Sequence, residues 1–194
     1  MQKLLLILFV FFSCYTFAQK WTAKQIAQAN TAKDIPDLSK IEKKIITLIN
    51  LARLYPKDFA KIEVFSYTGS VKYNEDLTKS TYKTSLMKEL NSMAAVAALQ
   101  FDKAPYENAK CLAQEQGTTG GMGHKRTKCK DGPFAECCSY GAETAKEVLM
   151  QWLIDDKHPD LGHRKNCLSS GYKVIGVSEH SHLKWQTCSV ADFR

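Results

Sequence analysis

Six cysteines lie between residues 111 and 188, and they constrain the folds open to this chain more than any other feature. They are Cys111, Cys129, Cys137, Cys138, Cys167 and Cys188; a seventh, Cys14, lies in the N-terminal leader. An even number on an exported chain points to a disulfide framework, for which six cysteines allow 15 pairings. Thiolate zinc ligation is the rival reading. No CxxC pair supports it, because Cys137 and Cys138 are adjacent and the others are far apart. Two adjacent cysteines would close a strained ring with each other, so each is expected to reach a different partner. A chain of this length buries roughly 70% of its unfolded surface in one domain, so the core itself does not need cross-links.

Export is read from the first residues. Lys3 supplies a positive charge, Leu4–Phe12 form an apolar run, and Thr16-Phe17-Ala18 offers small residues for a signal peptidase. The run is too short to span a bilayer, which needs about 20 apolar residues. Residues 1–18 are therefore expected to be a signal peptide cleaved after Ala18, with a lipoprotein at Cys14 as the alternative, since Ser13 precedes it. The expected destination is the outside of the cell or the periplasm and envelope. Nothing else in the chain reads as a membrane span. The formal net charge of +7 is modest, and no aromatic-interleaved basic stripe of the kind nucleic acid requires is present. The basic group Lys125, Arg126, Lys128 and Lys130 reads as a solvated loop.

Residues 19–37 read as a polar lead-in and 38–194 as one domain, expected to be monomeric. Ser39 with Glu42 forms a capping box, opening a helix with Ile41, Ile45, Leu48 and Ile49 at helical spacing. Pro56 ends or kinks it, and Lys57–Val64 begins another short helix. A loop at 66–78 is followed by a helix over 79–99, then by one starting at Asp102 and Pro105 and stopping near Gly117. Gly117–Lys130 is loop-like, and Phe134–Ser139 is a short strand. Thr144 with Glu147 makes a second capping box, behind which Val148, Leu149, Trp152 and Leu153 define a helix. Lys173–Ser178 and Trp185–Val190 read as strands of a hairpin, with His180 and His182 in a solvent-facing turn. Helices in the first half and strands in the second indicate an α+β domain with a small antiparallel sheet.

The candidate chemistry lies between His124 and Leu168. His124 sits in a glycine-rich loop, Glu136 in or beside a strand, Asp155 one turn after Trp152, and His163 beyond that helix. Two neutral imidazoles and a carboxylate are an ordinary ligand set for zinc or a similar divalent ion. Without metal, a carboxylate beside an imidazole favours the protonated ring. Ser139, Ser169 and Ser170 sit in no GxSxG elbow, so a serine nucleophile is not indicated.

The surrounding residues carry a resemblance. Gly123-His124, Ala135-Glu136-Cys137, Gly141 through Val148, Trp152 and Gly162-His163-Arg164-Lys165-Asn166-Cys167-Leu168 follow in order, with Ile175-Gly176-Val177 and Ser189–Phe193 after them. Upstream stand Ile49-Asn50-Leu51-Ala52-Arg53, Pro56 and Phe59-Ala60. Over residues 38–193 the chain resembles the CAP superfamily of cysteine-rich secretory, antigen 5 and pathogenesis-related 1 proteins, in its bacterial SCP-like form. The resemblance implies a three-layer α-β-α sandwich with a cleft lined by two histidines and two acids. Matched position by position, these are His124, His163, Glu136 and Asp155. Two departures stand out: Ala135 and Cys137 replace the Gly and Asn that flank the family's glutamate, and a longer gap from Trp152 to Gly162 adds a loop around His158 and Pro159.

Three readings follow. The first is a non-catalytic binding module whose cleft holds a divalent metal, with a small-molecule, lipid, peptide or glycan ligand. The second is a metal-dependent hydrolase with Glu136 as general base. The third is a structural protein in which the four residues only brace the cleft. The absence of an activated nucleophile favours the first.

Overall fold

The structure, a computed structural model, describes residues 20–194. The expected signal peptide and Cys14 lie outside them. Seven α-helices and four strands occur in the order α1 (Ala23–Ala29), α2 (Lys40–Leu54), α3 (Pro56–Phe59), α4 (Thr81–Ser92), β1 (Gln100–Phe101), α5 (Lys103–Thr119), β2 (Ala135–Tyr140), α6 (Ala145–Ile154), α7 (Gly162–Leu168), β3 (Val174–His182) and β4 (Gln186–Phe193). A π-helical turn, Ala60–Val64, extends α3. The strands form one sheet in the order β1-β3-β4-β2. The β3–β4 and β4–β2 pairs are antiparallel as expected, and the two-residue β1 adds a parallel edge beside β3.

Three layers result. Helix α5 covers one face of the sheet, while α2, α6 and α7 cover the other. The larger core lies on the second face, where Ile45, Ile49, Leu149, Trp152 and Leu153 meet Cys137, Ile175, Val177, Ala191 and Phe193. The smaller core places Ala109, Leu112 and Ala113 of α5 against Cys138, Cys188 and Val190. Side chains alternate along a strand, so Cys137 and Cys138 enter different layers. Gly176 is required where α5 starts, because a Cβ there would lie 2.0 Å from the Tyr106 backbone nitrogen.

Local signals explain most boundaries. The Ser39–Glu42 and Thr144–Glu147 capping boxes both form, at α2 and α6. A third, Thr22–Gln25, starts α1 inside the expected lead-in. That segment is more than a lead-in: Trp21 packs against Tyr55 and Phe59, and Ala29 and Ala32 are buried. Another difference is the end of α4. The helix expected over 79–99 stops at Ser92, and the following backbone is held extended by α2. Arg53 O accepts from Val96 N at 2.9 Å, Arg53 Nε donates to Ala97 O at 2.9 Å, and Asn50 Oδ1 accepts from Leu99 N at 2.7 Å. Among the described residues, no helix is long and apolar enough to cross a membrane.

Candidate functional site

The loop 121–134 brings His124 to the sheet, and two restraints hold it. The disulfide Cys111–Cys129 staples it to α5. One turn further on, Glu115 accepts from the Thr127 hydroxyl and amide at 2.6 Å each and from the Lys128 and Cys129 amides at 3.0 Å each. The hydrogen bond from the Thr127 side chain, together with those amides, holds the Glu115 carboxyl down to about 2. Neither restraint is visible as a motif, since each joins residues more than a helical turn apart.

Glu136 lies on β2 with its side chain almost wholly buried. Its Oε1 accepts from His124 Nδ1 at 2.7 Å, while Oε2 pairs with Arg126. Arg126 departs from the solvated basic loop that the sequence suggests: its side chain is only 6% exposed and it also lies 3.4 Å from Asp131. Lys125, Lys128 and Lys130 are exposed as expected. Burial pushes the Glu136 carboxyl up, but the hydrogen bonds from His124 and Arg126 win and leave it below the usual range. The same His124–Glu136 bond raises the imidazole. Opposite Glu136 on β4 is Asp192, wholly buried and bonded by Asn108 Nδ2. Burial, aided by Glu136, pushes its carboxyl up to about 7.

Asp155 ends α6 in a left-handed conformation, φ 55°. That turn sends its buried carboxylate across to α7, where Oδ2 accepts from the His163 and Arg164 amides at 3.0 and 3.3 Å. The anion therefore caps a helix N-terminus that has no capping side chain of its own, where free N–H groups favour negative charge. Oδ1 accepts from His163 Nδ1 at 2.8 Å. Burial again opposes ionisation, and the bonds from His163 and the backbone outweigh it, so Asp155 also lies below its usual range.

The four predicted residues are thus brought together as two carboxylate–imidazole pairs lining a single cleft of about 650 Å³. The ring centres of His124 and His163 are 6.5 Å apart. Met122, Tyr140, His158, Asp160, Asn166 and Trp185 are among the other lining residues. Ionised carboxylates only accept, so Nδ1 of each neutral ring carries the proton and Nε2 keeps the lone pair.

The cysteines divide. Cys111 and Cys129 form one disulfide of the expected framework, whereas Cys137, Cys138, Cys167 and Cys188, expected to be bonded as well, are buried thiols. Each of the four fills apolar space as a small hydrophobe does. Neither of the adjacent pair is bonded to the different partner expected of it. Cys137 hydrogen-bonds Cys167 and lies 3.6 Å from the His163 carbonyl. Cys138 Sγ lies 4.0 Å from His124 Nδ1 and 3.9 Å from Glu136 Oε1. His124, Glu136 and Cys138 form a group that could hold a metal ion. His182 was expected to face solvent and is buried instead: Nε2 donates to Gly121 O at 2.8 Å, while Nδ1 accepts from the Lys184 and Trp185 amides.

The model of the CAP, or cysteine-rich secretory protein, family matches residues 47–193. The chain belongs to this family. A comparison with curated proteins gave no match. The matched region contains all four cleft residues and the whole sheet, as well as the buried side chains of Arg53, Arg126 and Arg164. CAP membership accounts for the sandwich and for the order of its elements, but function resides in the site.

Proposed function

We propose that this CAP domain is a secreted or envelope-located, non-catalytic binding module whose cleft holds one divalent cation between His124 and His163. The observation carrying this reading is that each imidazole faces the cleft with Nδ1 bonded to a carboxylate, at 2.7 and 2.8 Å. A carboxylate behind a ligating imidazole fixes its tautomer and raises its basicity, the usual setting of a zinc-bound histidine. The imidazoles would then be direct ligands through Nε2, with Glu136 and Asp155 one step behind. Rings bound at about 2.0–2.1 Å and a tetrahedral angle have centres about 5 Å apart. The pair stands at 6.5 Å. His124, with 60% of its side chain exposed, is free to close that difference.

The alternative ligand group, with Cys138, suits a cation less well. Arg126 already neutralises Glu136 there, and burial pushes the Cys138 thiol up, holding it protonated. Hydrolysis draws less support than binding for a related reason. A general base works best with its pKa near the operating pH, whereas both oxygens of Glu136 and of Asp155 are engaged and both carboxyls are lowered. Zinc calorimetry tests the reading. One saturable site, lost in His163→Ala and weakened in His124→Ala, is expected. No saturable binding by the folded wild type would leave the cleft as a brace.

A further inference from the structure

The loop that joins α6 to α7 is held in an unusual backbone conformation. Three of its non-glycine residues, Asp155, Lys157 and Leu161, have φ of 55°, 64° and 53°. Such conformations cost free energy and persist where the surroundings impose them, most often at functional sites. Here the surroundings are two backbone bonds, His158 N to Asp155 O at 3.1 Å and Leu161 N to His158 O at 3.0 Å, and the Ser80 hydroxyl bonding Asp156 at 2.9 Å. Together they place an exposed imidazole, His158, on the rim of the cleft. Its ring centre is 5.6 Å from that of His163, at 78°. No hydrogen bond to its ring nitrogens is found among the described residues.

The geometry points to His158 as a third imidazole ligand, making the cleft a three-histidine cation site. This rests on the metal reading above and deepens it. Two imidazoles sharing a tetrahedral ion have centres about 5 Å apart. The His158–His163 separation of 5.6 Å meets that more closely than the 6.5 Å of His124–His163. The ligand nitrogens of all three rings do not lie within 4.8 Å of one another, so the exposed rings of His124 and His158 must turn toward His163 to share an ion. Three imidazoles suit zinc, copper or nickel and are poor ligands for calcium or magnesium, which take oxygen donors. The site should therefore select the transition metals.

The test uses the full chain with Zn²⁺ and Cu²⁺ as probes, by calorimetry and electron paramagnetic resonance. Removing a direct ligand should exceed the roughly 10–100-fold cost of losing an outer-shell partner. His158→Ala is therefore expected to weaken Zn²⁺ at least about 100-fold, and to lower the count of nitrogens coupled to Cu²⁺ from three to two. His158 is exposed, so the variant should fold, and unchanged circular dichroism will verify it. If the wild type binds Zn²⁺ and His158→Ala binds within about threefold with an unchanged nitrogen count, this inference is overturned and the two-histidine reading stands. If the folded wild type binds no transition metal, both fall together. Micromolar Ca²⁺ binding that competes with Zn²⁺ would also overturn the three-imidazole assignment.

Discussion

Arg164 follows His163 directly, and its side chain is buried at 1% exposure. Nε donates to Leu153 O at 2.6 Å and Nη2 to Ile154 O at 2.9 Å; both carbonyls belong to the last turn of α6, where no intrahelical donor remains. Nη2 also reaches Tyr82 O at 3.0 Å, and Nη1 reaches Ser85 Oγ at 2.9 Å and Glu89 at 3.3 Å on α4. Arg164→Met keeps much of the volume and removes every donor. The Tyr82 carbonyl sits inside α4 and keeps its helical partner, so it adds little to the cost. Leaving a buried acceptor unsatisfied costs about 1–3 kcal/mol, so the two α6 carbonyls together should cost about 4 kcal/mol. For a chain of this size that lowers Tm by about 8–16 °C. Urea unfolding with an unchanged m-value is the assay. Arg164→Lys, which keeps the charge but loses the fork, should recover about half of the loss. A loss below about 1 kcal/mol for Arg164→Met, within the range of ordinary substitutions, would refute the claim that this side chain caps α6.

Other consequences follow from the same restraints. The Cys111–Cys129 link closes a loop of sequence separation 18, so Cys111→Ser with Cys129→Ser should cost about 3 kcal/mol; a loss below about 1 kcal/mol by urea unfolding would contradict that. Cys137, Cys138 and Cys188 are thiols whose ionisation burial opposes. Iodoacetamide at pH 8 should therefore modify almost none of them in the native protein and, Cys14 of the leader aside, four cysteines in denaturant, counted by mass spectrometry. Fewer than four in denaturant would reveal a second disulfide. Glu115 titrates at about 2 against an ordinary 4.5, so its contribution is complete above the unfolded value and is lost as pH falls toward 2. Hydrogen exchange in residues 124–129 should rise over that window, and Glu115→Gln should abolish the pH dependence. His124 runs the other way: its raised pKa gives stability that is full below about 6.5 and lost as pH rises through the folded value. An NMR titration placing His124 below the free-imidazole value would overturn the His124–Glu136 pairing.

Local chemistry made much of this structure legible. The boxes at Ser39 and Thr144, the hairpin after Lys173 and the strand at Glu136 can all be read within a few residues. What escaped depends on groups far apart in the chain. Residues 93–99, Met-Ala-Ala-Val-Ala-Ala-Leu, are mostly strong helix formers, yet Arg53 and Asn50 hold them extended from more than 40 positions away. Tertiary hydrogen bonds outweighed propensity. Arg126 looked like one of four loop cations because nothing in its neighbourhood names Glu136 as its partner. The cleft residues were legible as a set through the ordered motifs around them, but their division into two carboxylate–imidazole pairs was not. That division depends on the left-handed turn at Asp155, which no residue type there demands.

The two imidazoles also differ in freedom, and this bears on how the cleft would close. His163 lies in the first turn of a helix whose N-terminus is capped by Asp155, and its neighbour Arg164 is locked against α6 and α4. Asn166 of the same helix donates to Glu136 O at 3.1 Å, joining it to β2. His124, by contrast, is held by Glu136 and a longer contact to Cys138 Sγ, and most of its side-chain surface is in solvent. A cation entering the cleft would meet a fixed ligand in His163 and adaptable ones in His124 and His158. Affinity should then depend most on the rigidity of α7, since loosening the fixed ligand misplaces the ion for the other two. Arg164→Lys should on this ground weaken Zn²⁺ binding while leaving all three histidines in place. Zinc affinity equal to wild type in that variant, once its lower stability is measured, would show that α7 need not be held for the site to form.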